Sequence, residues 1–360
     1  MPRIGVMTTG GDCAGLNAAI RAVVATCTGQ GAEVLGILKG TEGLMADPPG
    51  FVVLDAGIVD GPLLRQGGTT LGSVNRGNPL RHPMPDGSTI DFSAKVKAGY
   101  QALRLDNLVA IGGDGSMRIM AELARRTGIR FIGVPKTIDN DLAATDSTIG
   151  FATAVEVAVE ALDRLQPTAA SHSRIMVLEV MGRDSGHIAL SAGIAGGADV
   201  ILIPEIPWRV AAAAAAIARL AARGRNYALV VVAEAVRDPE GAQAVVGPSR
   251  PGAMPRLGGI GGRVAAILER ATGAEARVTV LGHVQRGGQP GATDRVLAAG
   301  LGVRAAELAL AGVSGRMVAV QGGVLGDVAI DEAVAAQRPV DPAGQLVATA
   351  RALGISMGDA

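Results

Sequence analysis

Nine short runs rich in Val, Ile and Leu recur along the chain: RIGVM, AEVLGIL, NLVAIGG, FIGVP, RIMVLEV, VILIP, YALVVVAEA, RVTVLG and RMVAVQGG. Because they are apolar throughout rather than at alternate residues, they read as strands covered on both faces, which means parallel sheets between helical layers. Helical patterns fall between them, among them 15–29, 116–126, 150–165, 209–223 and 292–312. Strand alternating with helix predicts an α/β chain of doubly wound α/β/α sandwiches with mainly parallel sheets. Nine strands are many for one sheet, and 360 residues exceed the size at which one core usually stops growing. Two such domains are therefore expected, with the active site in the cleft between them.

Charge and composition remove several functions. Lys+Arg and Asp+Glu balance at 33 each, so no global field draws the chain to nucleic acid or anionic lipid. Aromatics make up 2% of the residues, too few for base-stacking platforms. No apolar run approaches the roughly 18 residues of a membrane span. The N-terminus enters a strand pattern at once without a secretory signal, and the expected compartment is the cytoplasm. Cys13 and Cys27 have no metal or redox spacing, and His82, His172, His187 and His283 are too dispersed for a structural zinc site. Residues 44–62 and 77–91 read as surface loops, and 238–259 as the longest irregular stretch, a candidate lid or binding loop. The alanine run in 209–223 reflects helix propensity alone.

In doubly wound sheets, ligands bind beyond the carboxyl ends of strands. Three turns there carry chemistry. In TTGGDCAGLNAAIRAV, Gly10 and Gly11 expose backbone amides, and the following helix turns its positive N-terminus toward an anion. In VAIGGDGSMRIM, Gly112, Gly113 and Gly115 let the backbone approach phosphates, Ser116 is placed to cap the helix, and Asp114 can hold a magnesium ion. In VPKTIDNDLAATD, Lys136 precedes Thr137, Asp139, Asp141 and Asp146; clustered carboxylates raise one another's pKa, so one can act as a base toward a hydroxyl.

Taken together these turns, with STIGF.TA, MGR, VLGHVQRGG and DR in the same order, resemble the phosphofructokinase family from residue 3 to about 325. The resemblance implies phosphoryl transfer to the 1-hydroxyl of fructose 6-phosphate, with Mg2+ and either ATP or pyrophosphate as donor. It implies a donor-binding domain of residues 1–150 plus about 285–335, and a sugar-phosphate domain of 151–284 plus about 336–360. Asp139 resembles the base, Thr137 and Ile138 the adjoining sugar contacts, and Asp141 a partner for magnesium or for the base. Asp114 matches the magnesium carboxylate. Gly11, Gly115, Ser116 and Lys136 match the donor-phosphate end, and Arg183 the charge on the transferring phosphoryl group. Met181, Gly182 and Glu234 resemble the sugar site. Arg174, Arg277, His283, Val284, Gln285 and Arg286 resemble the region that binds the 6-phosphate. Arg174 and Arg277 reach across a subunit interface in the family, which implies a homodimer or homotetramer.

Three departures matter. LGSVNRGNP carries one residue more than the family segment, leaving Arg76 as the expected donor-phosphate arginine. A family effector arginine one helical turn beyond Arg21 is Ala25, which implies weak response to ADP or phosphoenolpyruvate. Finally, Gly115 and Lys136 point to different donors. An acid at 115 would occupy the α-phosphate's space and repel it, whereas glycine leaves room, so ATP is the expected donor and pyrophosphate the alternative.

Overall fold

The computed structural model describes residues 1–360 apart from 56, 58–60, 75–77, 85 and 248–256. Strands β1 (Arg3–Thr8), β2 (Glu33–Ile37) and β3 (Phe51–Leu54) come first, followed by a small hairpin, β4 (His82–Pro83) and β5 (Thr89–Ile90). Then come β6 (Asn107–Gly112), β7 (Phe131–Pro135), β8 (Ile175–Val180), β9 (Val200–Leu202), β10 (Ala228–Ala233) and β11 (Ala276–Val280). The last two are β12 (Arg316–Gln321) and β13 (Val324–Ala329).

The chain divides into two compact units, Met1–Thr153 with Arg286–Gln337, and Ala154–Gln285 with Arg338–Ala360. In the first, a seven-stranded sheet runs β13-β12-β7-β6-β1-β2-β3, parallel except where the edge strands β3 and β13 pair antiparallel. In the second, β11-β8-β10-β9 form a wholly parallel sheet. The α/β class with mainly parallel sheets is as the apolar runs require: β6 and β8 are buried at all six positions, which only layers on both faces achieve.

Local sequence explains the helices that frame the site. Helix Asp114–Thr127 buries Met117, Met120, Ala121 and Leu123 on one stripe, and its other face is charged. It ends with Arg125 and Arg126 in the last turn and Gly128 in the left-handed conformation, the usual terminating chemistry. Its stripe packs with Met7, Leu108, Phe131 and Met317 into the core of the first unit. Helix Val210–Ala222, part of the second unit, buries Ala212, Ala213, Ala216 and Ile217, so part of its alanine run faces that unit's interior.

Two regions read as surface loops contain more order. Residues 44–62 hold β3, and 77–91 hold the β4–β5 hairpin. These strands are short and largely exposed, so they lack the apolar signature that marked the others. Among the described residues no helix is long and apolar enough to cross a membrane.

Candidate active site

In the seven-stranded sheet the chain order reverses between β1 and β6, and the crevice beyond the carboxyl ends at such a point is where ligands bind. The loops after β1, β6 and β7 gather there. The Lys136 amide donates to the Gly112 carbonyl at 2.9 Å, and Ser116 Oγ donates to Thr9 Oγ1 at 3.4 Å. Lys136 Nζ donates to the Gly11 carbonyl.

The helix after β6 starts earlier than its sequence suggested. Gly113 is already in extended geometry at the N-cap, and Asp114 opens the helix. Ser116 therefore sits inside the first turn and faces Thr9; the helix has no side-chain cap, which corrects the capping role expected of Ser116. Both Asp114 carboxylate oxygens accept from Arg118 Nε at 3.0 Å, an i,i+4 pair whose arginine is half exposed. No group of three or more His, Cys, Asp or Glu is gathered for a metal among the described residues. One carboxylate beside glycine amides nevertheless suits magnesium, which is commonly held by one or two carboxylates and its substrate's phosphates. Gly115 is exposed, and nothing lies within 4 Å of where its Cβ would be.

The Lys136–Asp141 stretch folds into a tight turn. Asp139 N donates to Thr137 Oγ1 at 3.1 Å, Thr137 Oγ1 donates to Asp141 Oδ1 at 3.3 Å, and Asn140 adopts φ 51°. Thr148 Oγ1 ties the turn down by donating to the Thr137 carbonyl at 2.6 Å. Asp139 and Thr137 remain partly exposed, whereas Asp141 is buried and Ile138 packs entirely into the core. Asp146 points elsewhere: Oδ2 accepts from Gly323 N at 3.4 Å.

Lys136 is 3% exposed and its ammonium is committed to the glycine loop. Burial pulls its pKa below the ordinary value, while nearby Cys13 and Asp12 pull upward. Burial also pushes the Cys13 thiol up to about 12, against the pull of Lys136. Arg286 Nη1 donates to the Asp12 carbonyl at 3.0 Å and lies 3.0 Å from the Cβ position of Gly11, which puts this arginine on the first glycine loop.

One further carboxylate at this end is wholly engaged in holding the chain together. Asp294 is fully buried and accepts from Gly150 N at 2.8 Å, Thr153 N at 2.7 Å and Thr153 Oγ1 at 2.6 Å. It thereby caps helix Phe151–His172 and anchors the chain leaving Thr148, so DR and STIGF.TA form one structural joint.

In the second unit the reversal lies between β8 and β11. Met181, Gly182 and Arg183 follow β8, Glu234 follows β10, and His283, Val284 and Gln285 follow β11, all at carboxyl ends. Gly182 has φ 149° and its Cβ would lie 2.6 Å from the Ser185 carbonyl oxygen. Gln285 is 1% exposed: Oε1 accepts from Met181 N at 2.7 Å and Nε2 donates to the Ala154 carbonyl at 3.2 Å. Its side chain thus fixes the start of the MGR segment, while His283 and Val284 are exposed. Arg174 and Arg277 sit at the amino ends of β8 and β11, on opposite sides of Glu275. A six-residue strand spans roughly 20 Å, which separates Arg174 and Arg277 from Arg183 beyond the other end of β8. Arg76 lies outside the described residues.

Comparison with known proteins agrees with this architecture. A family model described as phosphofructokinase matches residues 3–309. The chain is 52% identical over 357 residues to a Nostoc sp. protein named ATP-dependent 6-phosphofructokinase 1, covering 99% of each. It is 51% identical over 358 residues to a Synechocystis sp. protein of the same name, covering 99% of this chain and 98% of the relative. Among solved structures, Pichia pastoris phosphofructokinase in the T-state superposes with a TM-score of 0.80 at 30% identity, over 99% of this chain and 37% of the longer yeast chain.

Proposed function

The chain belongs to the phosphofructokinase family, and from that premise we propose that it is an ATP-dependent 6-phosphofructokinase, moving the γ-phosphoryl group of ATP to the 1-hydroxyl of fructose 6-phosphate. The observation that carries this reading is the open, exposed Gly115 turn in a chain 52% identical, almost end to end, to a relative named for ATP.

Phosphoryl transfer asks mainly for positioning and charge neutralisation. Amides of the Gly10–Gly11 and Gly113–Ser116 turns cradle the donor phosphates, and Lys136 acts indirectly by holding the Gly11 carbonyl and hence the loop. Asp114 would hold Mg2+, which supplies charge neutralisation on the phosphates. Asp139, partly exposed on a turn pinned by Thr137 and Thr148, takes the proton of the attacking hydroxyl. Arg183 steadies the transferring group, with Met181, Gly182 and Glu234 at the sugar. Arg286, expected with the 6-phosphate set, lies beside Gly11, where it adds a cation to the donor loop.

Placement of Arg174 and Arg277 at the strand ends remote from Arg183 supports service to another subunit's sugar, and with it a homodimer or homotetramer. Pyrophosphate as donor drew its support from Lys136. That ammonium is already engaged by Gly11, which favours ATP. Purified protein supplied with fructose 6-phosphate and Mg2+ should form fructose 1,6-bisphosphate with ATP; formation with pyrophosphate alone would overturn the donor reading.

A further inference from the structure

Glu275 was assigned nothing by the sequence, yet it sits between the two arginines expected to bind phosphate. Arg174 Nε donates to Glu275 Oε2 at 2.6 Å, and Arg277 Nη2 donates to Oε1 of the same carboxylate. Arg277 Nη1 donates to the Ala276 carbonyl at 2.9 Å, so both terminal nitrogens of that guanidinium are engaged within its own chain. Strand pairing builds the cluster: Ile175 is in register with Ala276, which sets Arg174 beside Glu275 at the entry to the two strands. All three side chains keep solvent contact, 27% for Arg174, 53% for Arg277 and 39% for Glu275.

We propose that Glu275 is an internal stand-in for the acceptor's phosphate, occupying the guanidinium edges that the phosphate must take and so setting the affinity for the phosphorylated sugar. This rests on the reading of Arg174 and Arg277 as phosphate-binding residues. Carboxylate and phosphate offer guanidinium the same kind of paired oxygens, so one can replace the other on the same donors. A dianion with three oxygens outcompetes a monoanion with two, and solvent-exposed ion pairs are weak enough to open. Arg174 foremost, and Arg277, hold the Glu275 carboxyl below its ordinary pKa, so it competes as an anion at neutral pH. Without that charge the arginines would face solvent ready for phosphate; with it, each binding event begins by opening the two pairs.

The test uses full-length Glu275→Gln, with Glu275→Ala as a second variant. Inorganic phosphate titrated calorimetrically into E275Q should bind about three- to fivefold more tightly than into the wild type, and the gain should vanish in E275Q/R277A. KM for fructose 6-phosphate should fall by a similar factor while KM for ATP stays at its wild-type value. A purely structural Glu275 would give a higher KM for the sugar or no tighter phosphate binding, and either result overturns the proposal. Absence of fructose 6-phosphate turnover in the wild type would sink the proposed function instead, and the phosphate titration would still decide the role of Glu275.

Discussion

Gly150 and Gly115 border the same group of loops in the first unit, and they are glycine for different reasons. At Gly150 φ is +99° and a Cβ would lie 2.5 Å from Cys13 Sγ, so both backbone conformation and packing forbid a side chain. At Gly115 the backbone is that of the first turn of a helix, the residue is exposed, and nothing lies within 4 Å of a Cβ. The fold demands the first glycine, whereas no neighbour within 4 Å excludes a Cβ at the second. A glycine that packing does not require, on a turn beyond the carboxyl end of a strand, fits the proposed donor site better than a demand of the fold.

That contrast separates residues that fail by unfolding from residues that fail by losing chemistry. The proposed mechanism puts Asp139 with Gly115. Asp139→Asn should lower kcat by about 10²–10⁴-fold and move the unfolding free energy by less than about 0.5 kcal/mol; a stability loss that tracks the activity loss would place Asp139 with the structural residues instead. Gly150→Ala should behave oppositely, costing about 2–4 kcal/mol in urea unfolding, and a near-wild-type midpoint would show that Cys13 can move aside. Gly115→Asp should raise KM for ATP about tenfold with an unchanged unfolding midpoint. Unaltered ATP kinetics would remove the steric and electrostatic argument for the donor.

The smallest effect concerns Cys13 and Cys27, both fully buried, whose thiols burial pushes up to about 12. Between their ordinary value and about 12 the unfolded chain loses these protons and the folded chain keeps them, so each thiol makes stability fall as pH rises. The depressed Lys136 works the other way, since there the unfolded state binds more protons. Native protein should therefore resist a thiol reagent at pH 8 until unfolded; rapid labelling of either cysteine in the native state would contradict its burial.

Most of the architecture was legible because buried parallel strands write a dense local signal. All nine apolar runs became strands, from β1 to β12. The strands that escaped notice are edge or hairpin strands: β3 and β13 expose much of their length, and β4 and β5 have two residues each. Antiparallel edges with solvent on one side need no continuous apolar run. The three turns were legible for a related reason, since glycines, an acid and a helix start follow one another within a few residues. Ser116 shows the limit of that signal, as helix boundaries shift by a residue or two when the backbone turns early at Gly113.

Strand identity, sheet class and the order of the ligand turns were fixed along the chain itself, because hydrophobic pattern and turn chemistry act between near neighbours. Which polar groups meet was settled by folding. Asp294 finds Thr153 across 141 positions, Lys136 finds Gly11 across 125, and Arg174 finds Glu275 across 101. Such partners are chosen by sheet order and register, and a buried charge must find donors wherever the topology brings them. The partners of Asp294, Lys136 and Glu275 therefore became visible only once the strands were in place.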